Sequence, residues 1–405
     1  MVFKLAWRNL WRNKRRTLIT ISAVAFAVLW SAVLQSIQTG TWDKMIDNMS
    51  RFYMGYAQVH SKGYWGEQSL DLGFEPNEVM SAVEGKLPEN VDMVPRLESF
   101  ALASYGLQTQ GVLIMGIDLE EENKLTGIGN KITEGTFLKV ATSSVIIGDK
   151  LAEKLNMAVG DTLVLLSQGY HGQNAVGKYP VVGLVHLNSP DLNKRLVALS
   201  LPDAQNFFGM PDLITTYAIN LPSKKYLPQT MAVLKTQLDT SLYEVMDYND
   251  LIPELLEAAK LDQASGSLIH FILFLLIGFG LLGTIIMMTK ERSYEFGVLT
   301  AIGTERLKLA GILWIESVLL GVVGALAGIA LCLPIVYYLH SSPIQLTGNM
   351  ADQYERFGME AVISTAFNPG IFINQAIIMF VISTVLSLYP VIKSLTLKPI
   401  EAMKS

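Results

Sequence analysis

Leu268–Met288, LIHFILFLLIGFGLLGTIIMM, is an apolar run broken only by His270 and Thr284. A helix rises about 1.5 Å per residue, so about 20 such residues cross a bilayer's hydrocarbon core. Upstream lie roughly 230 residues of soluble-looking sequence, and before them a second apolar run, Leu18–Ile37. Downstream, Ala310–Leu339 and Ile371–Ile392 complete the set. This layout predicts a membrane protein: four transmembrane α-helices, one plus three, with a large α+β extracytoplasmic domain inserted between the first and second spans.

Composition agrees. Half of the 405 residues are hydrophobic and 17% are charged, and the mean hydropathy is +0.35. That is too apolar for an ordinary soluble protein and below a chain that is all membrane. The net charge of −5 argues against a nucleic-acid partner. Cys332 is the one cysteine, so no intrachain disulfide can form. Ala25-Phe26-Ala27 loosely mimics a signal-peptidase site, but the apolar run continues through Val28-Leu29-Trp30. Signal cores are about 7–15 residues, so a retained span is expected.

Orientation follows from basic flanks. Lys4, Arg8, Arg12, Lys14, Arg15 and Arg16 precede span one with no acidic residue among them. Lys290, Arg292, Arg306 and Lys308 lie between spans two and three, and Lys393, Lys398 and Lys404 follow span four. The loop between spans three and four carries Asp352, Glu355 and Glu360 against Arg356. Both termini and the turn after span two are therefore expected in the cytoplasm. The resulting division is an interfacial helix at 1–17, spans at 18–40, 266–289, 309–340 and 371–392, and an extracytoplasmic domain at 41–265, strand-rich near 112–195. A cytoplasmic turn occupies 290–308, an outer loop 341–370, and a cytoplasmic tail 393–405.

Lys4, Arg8, Arg12 and Arg16 recur every four residues and draw one basic stripe, while Phe3, Trp7, Leu10 and Trp11 fall on another face. This suits a helix lying in the inner-leaflet interface. The same charges also fit a purely topological signal.

Within the large domain, Val112–Ile117, Ser144–Ile147, Thr162–Ser167, Tyr179–Leu187 and Tyr217–Leu221 read as strands. Asp149–Leu155 and Tyr226–Leu238 read as helices. Trp42–Met54 and Asp250–Gln263 look like helical extensions of spans one and two, either levers or ordinary helices of the domain. Gly172–Lys178 has the spacing of a phosphate-binding loop up to its lysine, but Tyr179 stands where a hydroxyl must hold magnesium. A hairpin tip, or a docking loop over 168–178 for an extracytoplasmic partner, are the remaining readings. The five histidines show no metal-ligand spacing, and Glu120-Glu121-Glu122 reads as a solvated surface turn. No metal site, bound cofactor or catalytic residue is expected, so the chain is not an enzyme by itself.

The most informative local segment is the turn Lys290–Gly303. Phe296, Leu299 and Ile302 at i, i+3 and i+6, framed by charge, predict an apolar face that docks into a groove on another protein. The run Glu291-Arg292, Glu295-Phe296-Gly297 and Ala301-Ile302-Gly303, followed by Glu316, resembles the signature of FtsX-like permeases. That family includes the macrolide exporter MacB and the lipoprotein-releasing LolC and LolE subunits. Ala6-Trp7-Arg8-Asn9-Leu10, Gly116-Ile117-Asp118, Val159-Gly160-Asp161 and Pro399-Ile400-Glu401-Ala402 resemble further family markers in the same order. Gly55–His60 looks like the strand that follows the first extension in the lipoprotein-releasing subunits.

The resemblance implies a bacterial inner-membrane permease paired with a second permease, the same chain or a related one, and with ABC ATPases that hold ATP and magnesium. In that family the turn is a coupling helix, so Glu291, Arg292, Glu295, Phe296, Gly297, Leu299, Ala301, Ile302 and Gly303 are the expected ATPase-coupling residues. Trp7, Arg8, Trp11, Arg12 and Arg16 are the expected interface residues. Gly324-x-x-x-Gly328 with Gly321 offers a close-packing face on span three, and Glu316 is expected to serve packing near the interface. Span two also carries Gly278, Gly280 and Gly283, and Pro334 and Pro390 are expected to bend spans three and four. The leading expectation is extraction of lipoproteins, with a periplasmic carrier as a further partner and Val33 and Phe271 as substrate contacts. The alternative is an efflux or signalling permease that drives a periplasmic partner.

Overall fold

The computed structural model describes residues 2–140, 142–356 and 359–396. The tail markers from Pro399 onward lie outside the described residues. The chain divides into two compact units: Met1–Asp43 with Ala258–Gln345 and Val362–Ser405, and Lys44–Glu257 with Leu346–Ala361.

The first unit is helical. Four helices among the described residues are long and apolar enough to cross a membrane: Phe3–Met49, Pro253–Glu291, Arg306–Ser341 and Pro369–Leu395. Three apolar layers hold them together. Ile21, Leu281, Ile285 and Leu320 form one layer. Val24, Val28, Phe274, Ala325 and Met379 form the next, and Ala32, Val33, Cys332, Val336 and Phe372 the third.

Span three is the hub because its glycines remove Cβ atoms where neighbours come close. A Cβ on Gly324 would stand 2.6 Å from Val24 Cβ, and one on Gly328 2.5 Å from the Ala25 carbonyl, both on span one. A Cβ on Gly321 would meet Ser383 of span four at 2.7 Å. Gly280 and Gly283 of span two, by contrast, meet nothing within 4 Å. Helix continues through both Pro334 and Pro390.

Polar pairs join span one to span two. Thr20 and Thr284 hydroxyls lie 3.1 Å apart, and Ser31 Oγ is 2.9 Å from His270 Nδ1. Gln38 Nε2 and Trp42 Nε1 both donate to Asp262, at 2.8 and 2.7 Å. Such pairs satisfy groups that hydrocarbon would leave bare, and they act as interhelical glue.

Among the described residues the second unit holds ten strands: β1 Ala57–Ser61, β2 Asp92–Tyr105, β3 Gln108–Ile117, β4 Ile132–Gly135, β5 Val145–Gly148, β6 Thr162–Gln168, β7 Asn174–Val185, β8 Leu196–Ser200, β9 Thr216–Asn220 and β10 Tyr243–Asp247. The order is β10-β1-β9-β2-β3-β8-β5-β7-β4, and β6 pairs with both β2 and β7. The pairing β2-β3-β8-β5-β7-β6-β2 therefore closes a six-stranded ring. Leu97, Val112, Ile114, Ile147, Leu163, Leu165, Val181 and Val197 fill one core from these strands. Leu113, Met115, Ile146, Leu196 and Ala198 fill another on the opposite strand faces. The strands β3, β5 and β8 are thus buried on both sides, which is why they read as unbroken apolar runs. A third core packs β1 and β9 against the helices Glu78–Glu84 and Leu227–Gln237.

Three expectations change. The Gly172–Lys178 segment is mostly strand: Gly177 pairs with Leu165 and Lys178 with Val164, leaving Tyr170–Gly172 as a short turn. Its backbone lies in the ladder and cannot cradle a phosphate. The helix leading to span two breaks at Ile252, between Tyr248–Leu251 and Pro253–Glu291, because the residue before a proline avoids the helical region. Glu120-Glu121-Glu122 opens the helix Leu119–Thr126, capped by Asp118, and Glu122 is fully buried.

Candidate functional site

The helix of span two runs to Glu291, Arg292 breaks it, and a separate helix occupies Ser293–Ala301. Gly303 ends the segment at φ +99°, a conformation L side chains rarely adopt, and the helix of span three starts at Arg306. The glycine thereby lets the chain reverse over a few residues.

Arg292 does not face outward. Its Nη1 donates to both carboxylate oxygens of Glu316, at 2.8 and 2.7 Å, and both groups are buried. The acidic residue within span three is therefore paired, which offsets the penalty of withdrawing its charge from water. Arg292 Nε also donates to Glu295 at 3.4 Å, and its guanidinium lies 5.0 Å from the Phe296 ring centre.

Phe296 is a correction to the expected docking face. It is 2% exposed and packs on Leu309 and Leu313 of span three. At about 100° per residue, position i+6 falls about 120° from i, so Phe296 and Ile302 never shared one narrow face. The exposed apolar residues are Leu299, Ile302, Tyr294 and Leu307, with Ile302 77% accessible. Gly297 is buried beside Phe296, whereas Ala301 is exposed.

The N-terminal segment meets this turn. The helix Val2–Leu10 passes through a tight turn at Trp11–Asn13 into the helix Lys14–Met49. Ala6 and Leu10 are buried, while Phe3, Leu5 and Trp7 are exposed. Trp7 and Trp11 stack edge to face, 6.0 Å apart. The basic stripe is divided between two tasks. Lys4 and Arg8 are exposed, whereas Arg12 binds Glu295 at 2.8 Å and Arg16 binds Glu291. Hydrogen bonding from Arg12 holds the Glu295 carboxyl below its ordinary range.

Beside span two, a groove of about 690 Å³ opens between spans two and four. Phe271, Phe274, Phe279, Ile378 and Ile382 line it, with Gln35, His270 and Gln375 as polar members. Gln375 donates to Gln35 at 2.9 Å, while its own Oε1 is buried without a hydrogen-bond partner among the described residues. Val33, the other expected substrate contact, is buried in the third apolar layer and does not line this groove.

The larger unit has two polar clusters that sequence reading missed. Arg96 of β2, fully buried, donates to both oxygens of Glu122 at 2.7 and 2.8 Å, to Glu98 at 3.3 Å, and to the Tyr53 carbonyl. Tyr53 lies in the π-helical turn Ser50–Met54 that ends the first long helix. Glu360 accepts from Lys44 at 3.1 Å, Asn48 at 2.9 Å and Asn188 at 3.2 Å. The middle of the expected outer loop is thus part of the larger unit. Glu98 is two positions from Arg96, but the other partners are 26 to 316 positions away, so no sequence signal linked them.

Residues 267–399 match the FtsX-like permease C-terminal family, and residues 17–237, more than half of the chain, match the MacB-like periplasmic core domain. The lipoprotein-releasing system transmembrane protein LolC of Neisseria meningitidis is 22% identical over 326 residues, covering 77% of this chain and 75% of that protein. The pyoverdine export ATP-binding/permease protein PvdT of Pseudomonas syringae pv. tomato is 25% identical over 386 residues. That match covers 89% of this chain but 56% of PvdT, so the chain spans little more than half of that relative. The periplasmic region of MacB from Actinobacillus actinomycetemcomitans aligns over 53% of this chain and 98% of its own, with 14% identity and a TM-score of 0.35.

Proposed function

The chain belongs to the FtsX/MacB-type permeases of ABC transporters and is related to LolC, and from that premise we propose that it couples a separate ABC ATPase to work outside the inner membrane. The ATPase binds ATP and magnesium and seats on the Ser293–Ala301 helix. Both termini and this turn lie in the cytoplasm, and a second permease, identical or related, completes the assembly. The observation that carries this reading is the division of labour within the turn. Arg292 and Phe296 brace it from inside, against Glu316 and against Leu309 and Leu313. Tyr294, Leu299, Ile302 and Leu307 remain outward for a partner. A helix that is rigid on one face and apolar on the other can receive a push and pass it on.

The work is extraction of lipoproteins from the inner membrane, with release to a periplasmic carrier. The groove beside Phe271 supports this, since apolar walls with a few polar groups suit an acyl chain carrying a polar end. The similarity to PvdT favours a second reading, in which the same motion drives export or signalling through a periplasmic partner. Reconstitution with the cognate ATPase, a lipidated substrate and a periplasmic carrier tests the first. ATP-dependent release is expected. ATP turnover without release would overturn lipoprotein extraction, and a drug- or pyoverdine-export defect on deletion would then support the second.

A further inference from the structure

We propose that the N-terminal helix is a second brace on the turn, and that Arg12 and Arg16 are positioning residues that deliver the turn's displacement to span one. The inference rests on the reading that an ATPase drives this turn. Span two is joined to the turn covalently at Glu291-Arg292, but span one has no such connection. Span one meets the turn through Arg12, bound to Glu295 at 2.8 Å, and Arg16, bound to Glu291.

Three observations make these contacts a transmission point. Arg12 lies in the joint at which Val2–Leu10 gives way to Lys14–Met49, Arg16 lies just beyond it, and Thr17 Oγ1 donates across that joint to the Leu10 carbonyl at 2.6 Å. The joint is therefore tied on both sides. Glu295 also contacts Arg292, which grips Glu316. Alternating charges thus run Arg12–Glu295–Arg292–Glu316, from the joint through the turn to span three. Finally, Thr20–Thr284 continues the contact into spans one and two at 3.1 Å.

The side chains of Arg12 and Glu295 are 57% and 41% exposed. An ion pair of that kind adds little to fold stability. Its value is directional: it ties the turn to span one without being needed to fold either, so charge reversal can be read in an intact protein.

The test uses the full chain with its ATPase in nanodiscs of phosphatidylethanolamine and phosphatidylglycerol, in a Cys332→Ala background. Spin labels are placed separately at Trp30→Cys on span one and Leu276→Cys on span two, both exposed positions. ATP-driven label displacement is measured per bound ATPase. In R12E/R16E, the span-one response should fall about fivefold or more relative to the span-two response. R16E alone should show part of the loss, and R16E/E291R should regain it, because Arg16 is the residue that forms an ion pair with Glu291 among the described residues. Unchanged span-one displacement in R12E/R16E would overturn the proposal. If the wild-type chain binds no ATPase, the functional reading fails instead. Hydrogen exchange without nucleotide then decides the brace: faster exchange over 293–301 in R16E, restored in R16E/E291R, supports it, and no change refutes it.

Discussion

Two buried arginines, Arg292 in the turn and Arg96 in the larger unit, use the same chemistry to different ends. Each grips a glutamate with two hydrogen bonds of 2.7–2.8 Å. Arg292 joins a short helix to span three and leaves an exposed apolar ridge beside it. Arg96 faces no water at all, and it serves Glu122, Glu98 and a main-chain carbonyl together. The first pair braces a turn whose apolar ridge stays exposed, as the proposed docking of an ATPase requires. The second closes the end of a long helix against a sheet, where no partner could enter. Burial and the number of groups served therefore separate the proposed coupling element from an anchor.

Removing the anchor should have the largest effect. Arg96→Ala leaves two carboxylates and the Tyr53 carbonyl without their donor, and should destabilise the larger unit by about 3–5 kcal/mol. Arg96→Met with Glu122→Leu should recover much of that loss, because an apolar pair of similar volume avoids desolvating charge. Chemical unfolding monitored by tryptophan fluorescence checks both. Arg292→Ala should also destabilise, but it should additionally abolish ATPase coupling. Equal coupling losses in Arg96→Ala and Arg292→Ala, at matched stability, would erase the distinction.

The next test divides the turn itself. Phe296→Asp buries a carboxylate against Leu309 and Leu313 and should lose about 3 kcal/mol or more of stability. Ile302→Asp sits on the exposed ridge, should leave stability within about 0.5 kcal/mol, and should weaken ATPase binding by about tenfold or more. Thermal unfolding and ATPase affinity measured on both variants separate packing from docking.

How much of this was readable in the sequence follows the same line between patterned and unpatterned burial. The four spans and the doubly buried strands β3 and β5 announce themselves through continuous apolar runs, whereas the equally buried but short β8 is not among the strands that the sequence predicts. Strand β2 escaped because its interior positions include Arg96 and Glu98, which break the alternation on which strand reading depends. Glu122 was misread because a run of three acidic residues is usually solvated, and only its partner on another strand reveals otherwise. The sequence predicts a packing role for Glu316 near the interface, but nothing in the spacing names Arg292 as its partner. Val33 and Phe271 both lie on apolar spans, and composition cannot tell which face meets a neighbouring helix. Ion-pair partners and helix faces are tertiary facts; span count and strand cores are periodic ones.

Acid should act on the anchor's unit. His60 is fully buried between Gln58, Tyr64 and Trp65, and burial pushes its pKa down from 6.5 to about 4. Because the folded state keeps this ring neutral while the unfolded chain takes up a proton, its contribution to stability is present above pH 6.5 and shrinks as pH falls toward 4. The loss by pH 5 should be about 2 kcal/mol relative to His60→Gln. Differencing against that variant cancels titrations common to both. An identical pH profile in the two proteins would place His60's proton in the folded state as well.

The smallest effect should come from the carboxylate that Arg96 serves least. Burial, reinforced by the charge of Glu122, raises the Glu98 pKa, and Arg96 opposes that shift only in part. A raised carboxyl pKa favours the folded state at low pH, and that advantage is lost as pH rises through the folded value. Once ionised, Glu98 therefore weighs against folding. Glu98→Gln keeps an oxygen acceptor for Arg96 and removes the surplus negative charge, so it should stabilise the larger unit by about 1 kcal/mol at pH 7. The gain should shrink on acidification, since protonated glutamate and glutamine then differ little. The turn offers no counterpart to this gain, because Glu316 takes two bonds from Arg292 and has no second buried carboxylate beside it among the described residues. Glu316→Gln should weaken the brace. Opposite signs for the two Glu→Gln changes would follow from the two arginines' different charge balance; the same sign would mean that burial alone, without the count of neighbouring charges, governs both sites.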